Sequence, residues 1–273
     1  KRFGQVPGGM FGGDENCRRG YDDPRQAVET CGLVEQMLSD EMMLQISGDS
    51  FWADHCEEVA FNTYPAAVMP DFKALRYLTA PNQVVSDSKN HAPGIDNSGP
   101  FMMMNPFSSR CCQHNHSHGW PYFNKSLWMA TPDNGLCAAL YSASDVRVKV
   151  GDGTEVQFAE DSHYPFEDSI RFKFSADKTV TFPLYLRIPA WCQSPKVSVN
   201  GKAVRINASG NANRINVFTF MPTVRRARSR ARNPATGGCT RARPAASALA
   251  RGARPAYRER KQTDRDREER ESR

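Results

Sequence analysis

The sequence lacks any apolar run of the ~18–20 residues that a membrane-spanning helix needs, so no membrane segment is expected. It also lacks the pattern of a secretory signal peptide. The chain begins with Lys1 instead of Met, inside a Gly-rich stretch, and we interpret it as a piece of a longer protein. Only 39% of its residues are hydrophobic, which indicates that part of the chain is not packed.

Most of the chain has no excess of positive charge, because the basic residues are concentrated at its C-terminal end. Residues 223–273 hold 16 of the 36 Lys and Arg and 6 of the 30 Asp and Glu, a net charge of +10, which leaves −4 for residues 1–222. The basic balance of the whole chain is therefore poor support for nucleic-acid binding, and nucleic acid is not an expected partner. If the tail did bind nucleic acid, the binding would depend steeply on salt and would disappear without residues 223–273.

The basic tail, residues 223–273, has almost no large apolar residues. Such a segment cannot offset its ordering entropy by burial, so we predict a disordered tail. The change of composition is abrupt and follows the strand-like Val217-Phe218-Thr219-Phe220. Out-of-frame translation is one hypothesis for this change, and the genomic reading frame downstream would test it.

The eight cysteines do not have the distribution of a disulfide framework. Cys111 and Cys112 are adjacent, and a bridge between neighbours closes a strained ring. Cys56 lies in an apolar helical setting and Cys239 in the basic tail. We therefore expect reduced thiols, some of them metal ligands, which favours a cytoplasmic location over an oxidising one.

Apolar residues recur at helical spacing between Leu33 and Ile46, which predicts a first helix that Gly48 ends. Thr30 is the predicted N-cap. This choice leaves Glu29 in the preceding loop and places Cys31 in the first turn.

Two further helices are predicted. The second covers residues 50–63 and is ended by Pro65. Residues 64–110 show no strong period, and the third helix is expected over residues 119–129.

After residue 134 the alternation becomes strand-like. Asp152-Gly153 and Asn200-Gly201 are hairpin turn signals between such runs. The succession predicts an antiparallel β-sandwich over residues 135–222. The predicted strand runs are Ala138–Tyr141, Val146–Val150, Val156–Phe158, Ile170–Phe174, Val180–Ile188 and Val197–Val199.

Three cysteines and a glutamate form a candidate metal set. Glu29-Thr30-Cys31 is separated by about 80 residues from the pair Cys111–Cys112. Zinc accepts soft sulfur and carboxylate oxygen together, so a four-coordinate site is one interpretation. Scattered small core residues are the alternative.

His114, His116 and His118 alternate and offer a rival ligand set, since on an extended segment they would face one side together. A role beside the metal or in substrate binding is the preferred interpretation for these histidines. Asp14 and Glu15 in the Gly-rich stretch are candidate acids, although an exposed acidic pair is usually only solvated.

Nine motifs follow one another in an order that resembles glycoside hydrolase family 127, the β-L-arabinofuranosidase family. The resemblance covers about residues 4–220. The motifs are Gly8-Gly9-Met10-Phe11-Gly12-Gly13-Asp14-Glu15-Asn16-Cys17, Glu29-Thr30-Cys31-Gly32, Trp52-Ala53-Asp54, Phe61-Asn62, Cys111-Cys112-Gln113-His114-Asn115, Gly119-Trp120-Pro121, Gly135-Leu136, Tyr164-Pro165-Phe166 and Leu186-Arg187-Ile188-Pro189-Ala190-Trp191-Cys192.

The resemblance implies an α+β multidomain protein: the C-terminal portion of an (α/α)6 barrel over residues 1–134, then the β-sandwich over 135–222. It implies a zinc ion held by Glu29, Cys31, Cys111 and Cys112. Cys111 would be the nucleophile and Glu15 the general acid/base of a retaining glycosidase. Asp14 lies next to Glu15, and the spacing from Glu15 to Glu29 is slightly shorter than in some members.

The substrate implied by the resemblance is a glycan with a terminal arabinofuranoside-like sugar. His114, His116 and Asp14 are candidate sugar contacts. Because the chain would hold only the last portion of the barrel, an inactive carbohydrate-binding or structural remnant is the alternative function. Bound zinc that is lost in Cys111→Ala would distinguish the enzyme site from the remnant.

Overall fold

A computed structural model describes residues 27–79, 103–104, 111–204 and 235–238. Asp14 and Glu15 lie outside these residues, as does the tail apart from 235–238. No helix in the described part of the chain is both long and apolar enough to cross a membrane.

The first helix, α1 (Thr30–Ser47), follows the short strand β1 (Val28–Glu29) and ends at Gly48, whose φ of 65° is left-handed. The predicted stop is therefore confirmed, as is the place of Cys31 in the first turn. The N-cap prediction is wrong by one residue, because Glu29 occupies that position. Thr30 is already helical, and its hydroxyl instead donates to the Arg76 carbonyl at 2.6 Å.

The buried face of α1 differs from the apolar pattern at its C-terminal end. Met42 and Ile46 are 52% and 75% exposed, whereas Asp40 and Glu41 are buried. Asp40 accepts hydrogen bonds or ion pairs on both oxygens, from Gln36 at 2.8 Å and from His55 at 2.7 Å. A periodicity of apolar residues cannot predict a buried carboxylate that pairs with a histidine of another helix.

The second helix, α2 (Ser50–Glu58), begins with Asp49, whose side chain accepts the Phe51 backbone N–H at 3.0 Å. It continues through a π-helical turn (Val59–Thr63) into α3 (Tyr64–Ala66). Pro65 lies at the start of α3 without preventing it, and the helical segment ends one residue later, at Ala66, instead of at the predicted residue 63.

The helix predicted over residues 119–129 in fact spans Cys111–Lys125 and is labelled α4. The start was missed because Cys, His and Asn have modest helix propensity, and they show no apolar period here. Pro121 lies inside the helix without ending it.

Two small antiparallel pairs lie in the helical part. Strand β1 pairs with β3 (Leu78–Thr79), and β2 (Leu75–Arg76) pairs with β4 (Met103–Met104). The first pair holds Glu29 opposite Leu78, and Leu78 is fully buried. This contact fixes the backbone immediately before α1.

A three-stranded sheet follows α4, in the order β10-β6-β5. Its strands are β5 (Trp128–Ala130), β6 (Leu136–Ala138) and β10 (Leu184–Leu186). Strands β5 and β6 are antiparallel, but β6 and β10 are parallel. The prediction of a purely antiparallel arrangement is therefore wrong for this sheet, since local alternation does not record which strand becomes the neighbour.

A six-stranded antiparallel sheet has the order β12-β11-β13-β9-β8-β7. Its strands are β7 (Ser144–Val150), β8 (Thr154–Ser162), β9 (Ser169–Ala176), β11 (Lys196–Val199), β12 (Lys202–Val204) and β13 (Ala235–Gly238).

Both predicted hairpin turns are present in this sheet. Gly153 has a φ of 89° in the turn between β7 and β8, and Asn200 and Gly201 have positive φ in the turn between β11 and β12. Two successive positive φ values are what a two-residue hairpin needs.

Strand β13 corrects the prediction of a wholly disordered tail. It pairs with β9 on one side and β11 on the other. A strand forms here without large side chains because its pairing uses backbone groups, and Ala235–Gly238 has only small ones.

The two sheets share one hydrophobic cluster. Leu136 and Leu184 of the three-stranded sheet pack with Phe158 and Phe172 of the six-stranded sheet. A separate cluster fills the helical part and includes Leu33, Met37 and other residues of α1 to α4.

A buried polar network joins the helices to the sheets at Arg187, just after β10. Its Nη1 lies 2.5 Å from Asp54 of α2, and its Nη2 pairs with Glu57 of the same helix. The Tyr164 hydroxyl donates to Glu57 at 2.5 Å, and the Tyr141 hydroxyl donates to the Arg187 carbonyl at 2.5 Å. Three of the motifs named above therefore meet at one place.

The cysteines depart in one respect from the expectation of reduced thiols. Five of the described cysteines are free, namely Cys31, Cys56, Cys111, Cys112 and Cys137. Cys192 is disulfide-bonded. The adjacency argument explains why Cys111 and Cys112 are not bridged to each other, but it does not constrain Cys192.

Candidate metal centre

Glu29, Cys31, Cys111 and Cys112 meet in space. The ligand atoms that they offer all lie within 4.8 Å of one another, and they form the one such group of three or more His, Cys, Asp or Glu across the described ranges. The Cys31 sulfur is 3.4 Å from that of Cys111 and 3.3 Å from that of Cys112. The Cys111 and Cys112 thiols donate to Glu29 Oε1 at 3.7 and 3.2 Å.

Two helix N-termini bring these residues together. Cys31 lies in the first turn of α1, and Cys111 and Cys112 are the first two residues of α4. Glu29 is fixed just before α1 by strand pairing. The partial positive charge of a helix N-terminus stabilises a thiolate, so both helices favour the anionic form of the ligands.

The two ligand-bearing helices are also held together away from the ligands. Ser126, directly after α4, donates its hydroxyl to Glu41 Oε2 of α1 at 2.7 Å, and both residues are buried. The helices therefore run side by side in the same direction, with their first turns at the ligands. Burial raises the pKa of Glu41 to about 7, against a smaller lowering by the Ser126 hydrogen bond.

The donor set fits a zinc ion. Three sulfurs and one carboxylate oxygen are a four-coordinate set that zinc accepts. Around a tetrahedral ion with Zn–S bonds of about 2.3 Å, neighbouring sulfurs lie about 3.8 Å apart. The separations of 3.3 and 3.4 Å between Cys31 and the other two sulfurs need only a small expansion to reach that geometry.

The thiols do not titrate independently. The hydrogen bond from Cys112, followed by smaller contributions that include the Asn115 side chain, lowers the pKa of Cys31 despite its burial. The Cys31 sulfur in turn raises the pKa of Cys112, with burial adding to the effect. Burial and then Cys31 raise the pKa of Cys111. These shifts favour the thiolate of Cys31 and the thiol forms of Cys111 and Cys112.

The histidines are not brought together as ligands. Because residues 114–118 are helical and not extended, His114 and His118 share one side of α4 and His116 points elsewhere. His116 is half-buried and stacks on Tyr64 with ring centroids 4.5 Å apart, and burial lowers its pKa. The condition for a shared face, an extended segment, is therefore not met.

Close packing of α4 against Tyr64 depends on Gly119. A Cβ placed on Gly119 would lie 2.5 Å from the Tyr64 ring. The Tyr64 hydroxyl donates to the His116 carbonyl at 2.5 Å. These contacts fix the middle of the helix that carries Cys111 and Cys112.

Sequence reasoning did not single out Asn115, whose side chain contributes to the lowered pKa of Cys31. Asn115 lies four residues after Cys111, on the same side of α4. A helix predicted from residue 111 would have shown this spacing. Asp14 and Glu15, the two candidate acids, lie outside the described residues.

The sequence matches two models of one family. Residues 1–125 match the model of the β-L-arabinofuranosidase GH127 catalytic domain, and residues 135–217 match that of the GH127 middle domain. Together these two segments include most of the chain. Among curated proteins, none matches the sequence.

Several solved structures have a similar fold. The structure of a GH127 β-L-arabinofuranosidase from Geobacillus stearothermophilus T6 has a TM-score of 0.64 and 20% identity, over 80% of this chain and 32% of that one. A structure titled glycoside hydrolase has a TM-score of 0.62 and 21% identity, over 79% and 33%. A GH127 β-arabinofuranosidase has a TM-score of 0.61 and 18% identity, over 79% and 32%.

These similarities show the fold, an α+β arrangement of few helices and several small sheets. The chain spans about a third of the length of the solved structures that it matches.

Proposed function

The chain belongs to glycoside hydrolase family 127, and from that premise we propose that it is part of a retaining glycosidase of the β-L-arabinofuranosidase type. In this proposal Glu29, Cys31, Cys111 and Cys112 hold a zinc ion, and Cys111 is also the nucleophile. The observation that carries the proposal is the meeting of these four side chains, which come from two segments of the chain about 80 residues apart.

Exposure supports Cys111 as the nucleophile among the three cysteines. Cys111 is exposed, Cys31 is half-buried and Cys112 is buried. A nucleophile must reach the anomeric carbon of the sugar, and only an exposed sulfur can do so without movement of the helices. The two less accessible sulfurs are suited to hold the ion.

A retaining mechanism needs a nucleophile on one face of the sugar and an acid on the other. The zinc ion would supply the chemistry that keeps the thiols deprotonated near neutral pH. The Cys111 thiolate attacks the anomeric carbon and forms a C–S bond as the glycosidic oxygen departs with a proton from Glu15. The Glu15 carboxylate then takes a proton from water, which attacks the same carbon and releases the thiolate.

The proposed substrate is a glycan with a terminal arabinofuranoside-like sugar. His114 is exposed three residues after Cys111 on α4 and is assigned to sugar contact. His116 and Asp14 are assigned the same role, although His116 is half-buried, whereas His114 is exposed.

The finer architecture is also a proposal. Helices α1 to α4 correspond to the last portion of an (α/α)6 barrel over residues 1–134, and the two sheets correspond to a β-sandwich over residues 135–222. The match of residues 135–217 to the middle domain supports the second assignment.

Hydrolysis of an aryl β-L-arabinofuranoside tests the function, with and without a chelator. We expect zinc-dependent hydrolysis that disappears in Cys111→Ala and persists in Cys56→Ala, because Cys56 is buried away from the ligand set. Full activity after verified removal of zinc would contradict the metal–thiolate mechanism. If the unchanged chain and Cys111→Ala both fold without binding zinc, the alternative function of an inactive remnant is favoured.

A further inference from the structure

Thr30 lies in the chain between Glu29 and Cys31, two of the four proposed ligands, and is fully buried. Its hydroxyl donates to the Arg76 carbonyl at 2.6 Å, and its backbone N–H donates to the Tyr77 carbonyl at 3.0 Å. Arg76 is the last residue of β2, and Tyr77 joins β2 to β3. One residue between two ligands is therefore bound at two points to the same neighbouring segment.

These two hydrogen bonds continue a strand pairing onto the start of a helix. Glu29 is paired with Leu78 in the antiparallel pair of β1 and β3. The next residue, Thr30, is the first of α1, and a backbone N–H in the first turn of a helix has no acceptor within that helix. The Tyr77 carbonyl supplies the acceptor. The backbone that leads to Cys31 is thus held at three successive points.

The segment that accepts these bonds is itself fixed. The Arg76 backbone N–H donates to the Ala67 carbonyl at 2.7 Å, and the Arg76 Nη1 donates to the Ala66 carbonyl at 2.5 Å. Ala66 is the last residue of α3. The carbonyl that accepts the Thr30 hydroxyl therefore belongs to a residue that is tied to the end of another helix, and it does not follow Thr30 if Thr30 moves.

The position of Thr30 links its backbone to both ligands. A peptide bond joins Thr30 to Glu29 on one side and to Cys31 on the other. A rotation of the backbone at Thr30 would change the direction of both ligand side chains relative to Cys111 and Cys112.

We propose that Thr30 is a positioning residue of the metal centre, whose hydroxyl fixes the backbone from which Glu29 and Cys31 reach the ion. This inference rests on the proposed zinc–thiolate function and adds a requirement to it, namely a hydroxyl on the residue between these two ligands. Groups that orient metal ligands typically change metal affinity 10–100-fold when they are replaced. Because Thr30 acts through the backbone and not on a ligand atom, we expect an effect of about 10-fold, the lower end of that range.

Two substitutions separate the hydroxyl from the rest of the side chain. Thr30→Val replaces the hydroxyl by a methyl group and keeps the branched shape, whereas Thr30→Ser keeps the hydroxyl and removes the methyl group. Ser47→Ala is the matched control. The Ser47 hydroxyl also donates to a backbone carbonyl at 2.6 Å, that of Met43, but at the exposed far end of α1.

Zinc affinity is measured by competition with a chromophoric chelator. We expect Thr30→Val to bind zinc about 10-fold more weakly than the unchanged chain, and both Thr30→Ser and Ser47→Ala to bind it equally well. At saturating cobalt(II), the sulfur-to-metal charge-transfer bands of Thr30→Val should shift, while those of the other two variants stay in place. A merely structural role of the hydroxyl would lower stability without changing the spectrum of a saturated site.

Amide hydrogen exchange in the unchanged chain gives a test that does not depend on the folding of Thr30→Val. The buried Thr30 N–H should exchange slowly, and zinc should slow it further because both of its chain neighbours become ligands. Amides near Ser47, at the exposed end of α1, should exchange at the same rate with and without zinc.

Equal zinc affinity and unshifted cobalt bands in folded Thr30→Val would overturn the inference and leave the zinc proposal standing. Equal weakening of zinc binding in Thr30→Val and Thr30→Ser would overturn it as well, since the hydroxyl would not be the cause. A Thr30 amide whose exchange zinc does not slow would have the same consequence. Failure of the unchanged chain itself to bind zinc would refute both the proposed function and the inference.

Discussion

Replacement of Arg187 by methionine tests the network that joins the helices to the sheets. The Arg187 side chain is fully buried, and its partners Asp54 and Glu57 have side chains that are 23% and 6% exposed. Its Nε also donates to the Ala139 carbonyl at 2.6 Å. Methionine preserves most of the packing but leaves both carboxylates without their cation.

The expected loss follows from the burial of the network. Removal of one partner from a buried ion pair costs about 3–5 kcal/mol, because the remaining charge is neither hydrated nor paired. Glu57 keeps donors from the Tyr141 N–H at 3.1 Å and the Tyr164 hydroxyl, so the lower half of this range is the better expectation. A loss of about 3 kcal/mol corresponds to a decrease in Tm of roughly 6–12 °C for a domain of this size.

Urea denaturation measures this loss, with Arg147→Met as the control. Arg147 lies 3.8 Å from Glu155 with both side chains more than half exposed, and such surface pairs contribute about 0–1 kcal/mol. With an m-value of about 2 kcal/mol/M, the midpoint of Arg187→Met should decrease by about 1.5 M urea. Equal midpoints for the two variants would refute the assignment of the network as a principal link between helices and sheets.

Two further predictions concern Gly119 and Glu160. Gly119→Ala places a methyl group against the Tyr64 ring and should lower the free energy of unfolding, measured by thermal denaturation, by about 1–3 kcal/mol. The control is Gly32→Ala, whose methyl group would lie 3.6 Å from its nearest neighbour and should not destabilise the fold. Equal effects of the two substitutions would contradict the packing account. Burial, with a smaller contribution from the charge of Glu57, raises the pKa of Glu160 to about 8 from its ordinary 4.5. The neutral Glu160 carboxyl is therefore favoured in the folded state, and its contribution to the free energy of unfolding is fully present below about pH 4.5. This contribution is lost as pH rises toward 8, by up to about 1.4 kcal/mol per pH unit. Glu160→Gln should flatten this part of the urea midpoint–pH profile, and an unchanged slope would contradict the assignment.

The elements that were predictable are those whose signal is local. The αL position of Gly48 and the positive φ values of Asn200 and Gly201 follow from residue type and position. The spacing of Leu33 and its neighbours placed α1 for the same reason.

The elements that were missed depend on partners distant in sequence. Residues 111–118 have no apolar period and become helical where α4 packs on α1 and Tyr64. The parallel pairing of β10 with β6 joins strands about 48 residues apart, and nothing in either strand encodes it.

The candidate site was predictable in its membership but not in its geometry. Composition named Glu29, Cys31, Cys111 and Cys112 as a candidate metal set with scattered small core residues as the alternative, and the family resemblance then implied that they hold zinc. Asn115, whose side chain contributes to the lowered pKa of Cys31, entered only with the structure, because the two residues lie on different helices.

Zinc K-edge X-ray absorption of the metal-loaded chain tests the central claim most directly. Coordination by Glu29, Cys31, Cys111 and Cys112 predicts a first shell of three sulfurs at about 2.3 Å and one oxygen at about 2.0 Å. Cys111→Ala should reduce the shell to two sulfurs, while Cys56→Ala should leave it unchanged. A shell of only nitrogen and oxygen, or one that Cys111→Ala does not alter, would contradict the account.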